Sequence, residues 1–194
     1  MKDRRAGDVL DFWFAPPGDP DHGRTRAVWF EKDDAFDARI RERFGPLIEA
    51  ALTGALDAWD ATVEGALARI VVLDQFTRNA FRGTPRSFAG DPRALRAARS
   101  LVAKAADRAL PGVRRQFVYL PFEHAEDLAM QEESMRLFRG LAADQPALTG
   151  LVTWAERHRA IVARFGRFPH RNAILGRRST PDEEAFLREP GSSF

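Results

Sequence analysis

The nine residues Arg164-Phe-Gly-Arg-Phe-Pro-His-Arg-Asn172 hold three arginines, a histidine, an asparagine and two phenylalanines. Gly166 and Pro169 break the segment, so it cannot continue the apolar-periodic helix before it. A turn needs a Gly or a Pro, but not three guanidiniums, whose rigid forks suit carboxylates and phosphates. Such a turn either ties helices together through ion pairs or walls a ligand site. Arg164, Arg167 and Arg171 are its cations, and Asn172 closes it.

Three further polar sets accompany it. In Asp74-Gln-Phe-Thr-Arg-Asn79, helical spacing puts Leu67, Val71, Asp74 and Arg78 on one stripe and Ala68, Val72, Gln75 and Asn79 on the next. An apolar helix thus turns polar at its C-terminal end, either as an Asp–Arg pair at a solvated end or as a polar pocket floor. In Glu123-His-Ala-Glu-Asp127, read as the start of one helix over Phe122–Leu141, His124, Asp127 and Gln131 share a face and Glu123 aligns with Asp127. Carboxylates beside an imidazole can orient a general base or bind a cation. Acids early in a helix also complement its dipole. His-Glu-x-x-His is absent, so there is no zinc signature, and neither a metal nor a cofactor is implied. His158 follows Leu151 and Ala155 and precedes Val162 and Phe165 at helical steps, which puts it on an apolar face. An interior histidine needs a polar partner, for which Glu123, Asp127 or Asp74 would serve.

The elements that must position these residues are helices. Val9, Leu10, Phe12 and Trp13 fit a first short helix, and Ala15–Arg26 reads as a loop. Phe36, Ile40, Phe44 and Leu47 mark an amphipathic helix that Pro46 is expected to kink or split. Val63–Asn79 is apolar nearly all round and therefore central. Asp91-Pro92 reads as an N-cap with proline in the first turn. Phe117–Leu120 reads as helix or turn. Phe122–Leu141 and Pro146–Phe165, joined by a short connection, should pack as an antiparallel hairpin, which would level His124 with His158. Thr180-Pro-Asp-Glu183 is a capping box opening a last short helix. Trp29, Phe30, Tyr119, Phe165 and Phe168 are expected in the core. Arg78-Asn-Ala-Phe-Arg-Gly83 and Arg171-Asn-Ala-Ile-Leu-Gly176 echo one another, as two similar helix ends or an old duplication. The fold expected is all-α, about eight helices in a single domain over residues 1–194.

Composition narrows the function classes. The 194 residues carry 30 Lys and Arg against 28 Asp and Glu, a net charge of +2, and the basic residues are scattered among the acids, so nucleic acid is not an expected partner. There is no cysteine, which removes thiol nucleophiles and disulfides and suits a cytoplasmic protein. The longest uncharged apolar run, Ile70–Leu73, is far too short for a membrane span, and no signal-peptide core is visible. Neither a Gly-x-Ser-x-Gly elbow nor a Walker-type loop is present. Oligomeric state leaves no trace in the sequence.

Together, Val9–Phe14, Trp29-Phe30, Leu73–Phe76 with Arg78-Asn79, Tyr119–His124 with Glu126-Asp127, and Arg164–Asn172 running on to Ser179–Pro181 resemble the bacterial family called domain of unknown function 924. The one departure is Thr77, where the family pattern carries proline. The resemblance implies an α-α superhelix similar to tetratricopeptide-repeat folds, and it implies no reaction. The leading functional expectation is a groove that binds a small anionic molecule or peptide, lined by Asp74, Gln75, Arg78, Asn79, Glu123, His124, Asp127, His158, Arg167, Arg171 and Asn172, with Arg78, Arg167 and Arg171 clamping the anion. Two alternatives stand beside it. One is a hydrolase, with or without a metal, using His124 as base with Glu123 or Asp127. The other is a structural or interaction protein whose ion pairs only fix helix packing.

Overall fold

A computed structural model describes residues 3–192. The described residues contain helices and no strand. Helix α1 spans Arg4–Phe14 and α2 spans Asp34–Thr53. Then α3 (Val63–Ile70) passes through a π-helical stretch, Val71–Phe76, into α4 (Thr77–Ala80), forming one continuous rod. There follow α5 (Asp91–Ala103), α6 (Gly112–Glu123), α7 (Leu128–Asp144), α8 (Gly150–Phe165) and α9 (Pro181–Leu187). With α3 to α4 counted as one rod, eight helices result, as the periodicity predicts. The contacts cluster into two compact units, one holding the chain up to Arg82 with Arg86–Pro121, the other Gly83–Pro85 with the chain from Phe122 onward.

In the first unit the α3–α4 rod is the core, fully buried from Ala66 to Phe76 apart from small edges at Arg69 and Gln75. An aromatic cluster surrounds it: Trp13 meets Phe76 at 5.7 Å and Phe117 at 5.6 Å, and Phe44 meets Phe76 at 4.8 Å. The π-helical stretch exposes the Leu73 carbonyl to two neighbours. The Thr77 hydroxyl donates to it at 2.7 Å. Gly90 presses against it so closely that a Cβ there would lie 2.0 Å from the oxygen. Gly90 is therefore a close-approach glycine and not merely a turn residue.

Several local expectations need correction. Helix α2 is not split: it runs unbroken across Pro46. Asp91 is the first helical residue and makes no cap; its carboxylate instead takes Arg78 at 2.8 and 3.0 Å. Phe30 is 61% exposed, because it neighbours Trp29 in a tight turn where only one ring can face inward. Trp29 takes that place and donates Nε1–H to the Trp13 carbonyl at 2.9 Å. Residues Phe122–Leu141 are not one helix, for α6 ends at Glu123 and α7 starts at Leu128. The Gln131 side chain replaces the missing helical donors, giving Nε2–H to the carbonyls of Glu123 and Ala125 at 2.7 Å each.

In the second unit α7 and α8 pack as an antiparallel hairpin, with Arg159 on Glu132 at 2.7 Å and Arg139 on Glu156 at 3.5 Å setting their register. Phe138, Leu141, Ala155, Val162 and Phe168 are among its buried apolar residues. The Thr180–Glu183 capping box forms as expected, and Phe186 of α9 meets Phe165 at 5.1 Å.

A histidine cluster as candidate functional site

Two of the chain's four histidines, His124 and His158, stand 34 positions apart in sequence, yet their ring centroids are 6.2 Å apart. The antiparallel hairpin brings them level, because His124 precedes α7 and His158 lies late in α8. His170 joins them through Phe168. The Phe168 ring, fully buried, meets His158 at 5.6 Å edge-on and His170 at 5.6 Å, and the Arg171 guanidinium lies over it at 4.5 Å. His158 and Arg171 are buried, whereas His124 and His170 are half-buried and form the rim.

His158 donates Nδ1–H to the Trp154 carbonyl at 2.9 Å. A carbonyl only accepts, so the proton sits on Nδ1 and Nε2 is the acceptor. Burial holds the ring at a pKa of about 3, reinforced by His124, Arg171 and His170. The imidazole is therefore neutral, and Glu123, buried and 3.4 Å from Nδ1, is a polar neighbour rather than an ion-pair partner. Burial likewise lowers His170 to about 4, with Arg171 adding to it and Glu126 opposing.

The turn carrying Phe168, His170 and Arg171 is held by a pair that lies outside the expected site. Glu126 accepts from the Phe168 N–H at 2.8 Å and takes both arms of Arg177 at 2.5 and 2.8 Å. Arg177 also donates to the Phe168 carbonyl at 3.1 Å and to Asn172 Oδ1 at 3.0 Å. Burial pushes the Glu126 carboxyl up, but Arg177 and the Phe168 N–H outweigh it and hold it below its usual range. No local pattern announces Arg177, since its partner is 51 residues away.

The other expected site residues lie in internal networks. Asp127 caps α7, accepting from the Met130 N–H at 3.0 Å, so it does not share a helical face with His124 and Gln131. Arg167 grips Glu183 at 2.7 and 2.8 Å, and Asn172 reaches the same carboxylate at 3.2 Å. That grip, led by Arg167, holds Glu183 at about 2. In the first unit Asp74 takes Arg78 at 3.0 Å and Gln75 at 2.6 Å. Asn79 and Arg82 share Asp37, at 2.7 and 2.8 Å. Among the described residues no group of three or more His, Asp or Glu could hold a metal ion.

An Asn-plus-Arg grip on one carboxylate occurs in both units, at Asp37 and at Glu183; the asparagines, Asn79 and Asn172, hold the same place in the two copies of the Arg-Asn-Ala echo, whereas the arginines do not, Arg82 lying inside the first copy and Arg167 ahead of the second. Gly83 and Gly176, which end the copies, both take left-handed backbone, φ 77° and 65°.

The arrangement of helices has a known counterpart. Residues 9–191 match the model of a family described as bacterial protein of unknown function (DUF924). The chain belongs to this family. A solved structure of a protein of unknown function, ATU0120 from Agrobacterium tumefaciens, is 42% identical, with a TM-score of 0.81 over 95% of this chain and 97% of that one. No curated protein matches. Neither family nor neighbour brings a reaction. Among the described residues no helix is long and apolar enough to cross a membrane.

Proposed function

We propose that the second unit binds a small anion bearing a carboxylate or phosphate, at the rim of His124 and His170 with Arg171 behind it. The observation that supports this is the gathering of His158, His170 and the Arg171 guanidinium around Phe168, with His124 against His158, where burial above all, aided by Arg171, keeps His158 and His170 unprotonated. An anion placed there gains charge-assisted hydrogen bonds from the guanidinium. In this reading Arg171 supplies the clamping cation. Arg78 and Arg167 are occupied by carboxylates of their own units.

The acid–base reading is less well supported. It needs His124 as base with Glu123 or Asp127 orienting it, but Asp127 caps α7 and Glu123 stands 3.4 Å from His158 Nδ1. The deciding experiment is a histidine-resolved NMR titration with acetate and with inorganic phosphate. Binding at this site moves the Cε1–H signals of His124, His158 and His170 saturably, and Arg171→Lys weakens it. Signals that stay still with both anions, or a response equal in Arg171→Lys, would sink the proposal.

A further inference from the structure

Two fully buried side-chain oxygens of the second unit have no hydrogen-bond partner among the described residues: Gln131 Oε1 and Ser134 Oγ. They lie three residues apart on α7, hence on one face, roughly 5–6 Å from each other at the Cβ atoms. The Gln131 NH2 is spent on the Glu123 and Ala125 carbonyls, which flank His124 in sequence. Because those carbonyls can only accept, the remaining amide atom is the oxygen, and it needs a donor. The register fixed by Arg159–Glu132 and Arg139–Glu156 brings Ser134 level with His158. The Gln131 amide thus lies beside the His124 backbone, and a buried acceptor left without a donor is costly. Such a group is kept where a ligand or a water completes it.

We infer that the ligand of the histidine site is a small hydroxy acid, its carboxylate at the His124–His170 rim and its hydroxyl donating to Gln131 Oε1 or Ser134 Oγ. This rests on the anion-binding reading above. A hydroxyl fits better than an ammonium because the Arg171 guanidinium repels a second cation. A site built to pair a hydroxyl discriminates strongly against the analogue that lacks it, since its own polar atoms are then left unpaired.

Calorimetric titration of the full chain with glycolate and with acetate tests this. Glycolate should bind at least about tenfold more tightly than acetate. The Gln131 side-chain amide resonances should move with glycolate and not with acetate. Ser134→Ala or Gln131→Met should lose the preference while keeping acetate affinity, and ligand-free Ser134→Ala should melt no lower than the wild type. Equal affinities for the two acids, with binding otherwise intact, overturn the hydroxy-acid inference alone. Absence of binding by either acid removes the anion-binding reading beneath it. A preference that survives in both variants, a Gln131 amide that ignores glycolate, or a marked drop in the melting temperature of ligand-free Ser134→Ala would show that a resident water completes the pair, and would overturn the inference. The NMR readout decides even where Gln131→Met, deprived of its carbonyl cap, does not fold.

Discussion

Glu126 and Arg177, 51 residues apart in sequence, close on the backbone of Phe168 from both sides: the carboxylate takes its N–H and the guanidinium takes its carbonyl. One ion pair thereby satisfies both backbone groups of the residue on which the histidine cluster is built. Breaking either half leaves a partly buried charge and an unsatisfied peptide group.

Glu126→Gln and Arg177→Met should each destabilise the protein by about 1–3 kcal/mol in urea unfolding. A double-mutant cycle should show a coupling of about 1 kcal/mol or more, since the two side chains share one network. Additive single effects would show that the pair does not act as a unit.

Stability should fall on mild acidification. His158 and His170 titrate at about 3 and about 4 when folded and near 6.5 when unfolded. Below pH 6.5 the unfolded chain therefore binds protons that the folded chain does not, so stability drops as pH falls, and the loss from these two groups is complete once pH passes below their folded values. Each fully suppressed histidine contributes a slope of up to about 1.4 kcal/mol per pH unit. Unfolding free energies measured from pH 7 to 5 should decline for the wild type and less steeply for His170→Gln. A flat profile over that window would contradict the burial assigned to these rings.

Gly90→Ala should cost about 1–3 kcal/mol or more, because the new methyl would drive into the Leu73 carbonyl and the rod must shift. Chemical denaturation measures this directly. An unchanged midpoint would mean that the rod and the turn at Gly90 separate freely.

Asp127→Ala should cost about 0.5–2 kcal/mol through loss of the α7 cap. It should leave the histidine NMR titration with acetate unchanged. A weakened anion response would return Asp127 to the binding site from which its capping position now separates it.

Helical periodicity is local, so the sequence alone determined what depends on a few neighbouring residues. The all-α class, the central rod over Val63–Asn79, the capping box at Thr180 and the α7–α8 hairpin are of that kind. The hairpin is what made the approach of His124 and His158 legible, because a short connection leaves antiparallel packing and antiparallel packing levels the ends. The turn at Arg164–Asn172 was legible as a chemical oddity, but the partners of its cations were not. Which carboxylate an arginine grips depends on where distant helices end. Arg167 went to Glu183, Arg78 to Asp91 and Arg177 to Glu126 because tertiary packing placed those acids within a guanidinium's reach. The break after Glu123 was hidden for the same reason: helical spacing continues across it, and the Gln131 side chain, arriving from the next helix, takes up the carbonyls where α6 stops while Asp127 caps the start of α7.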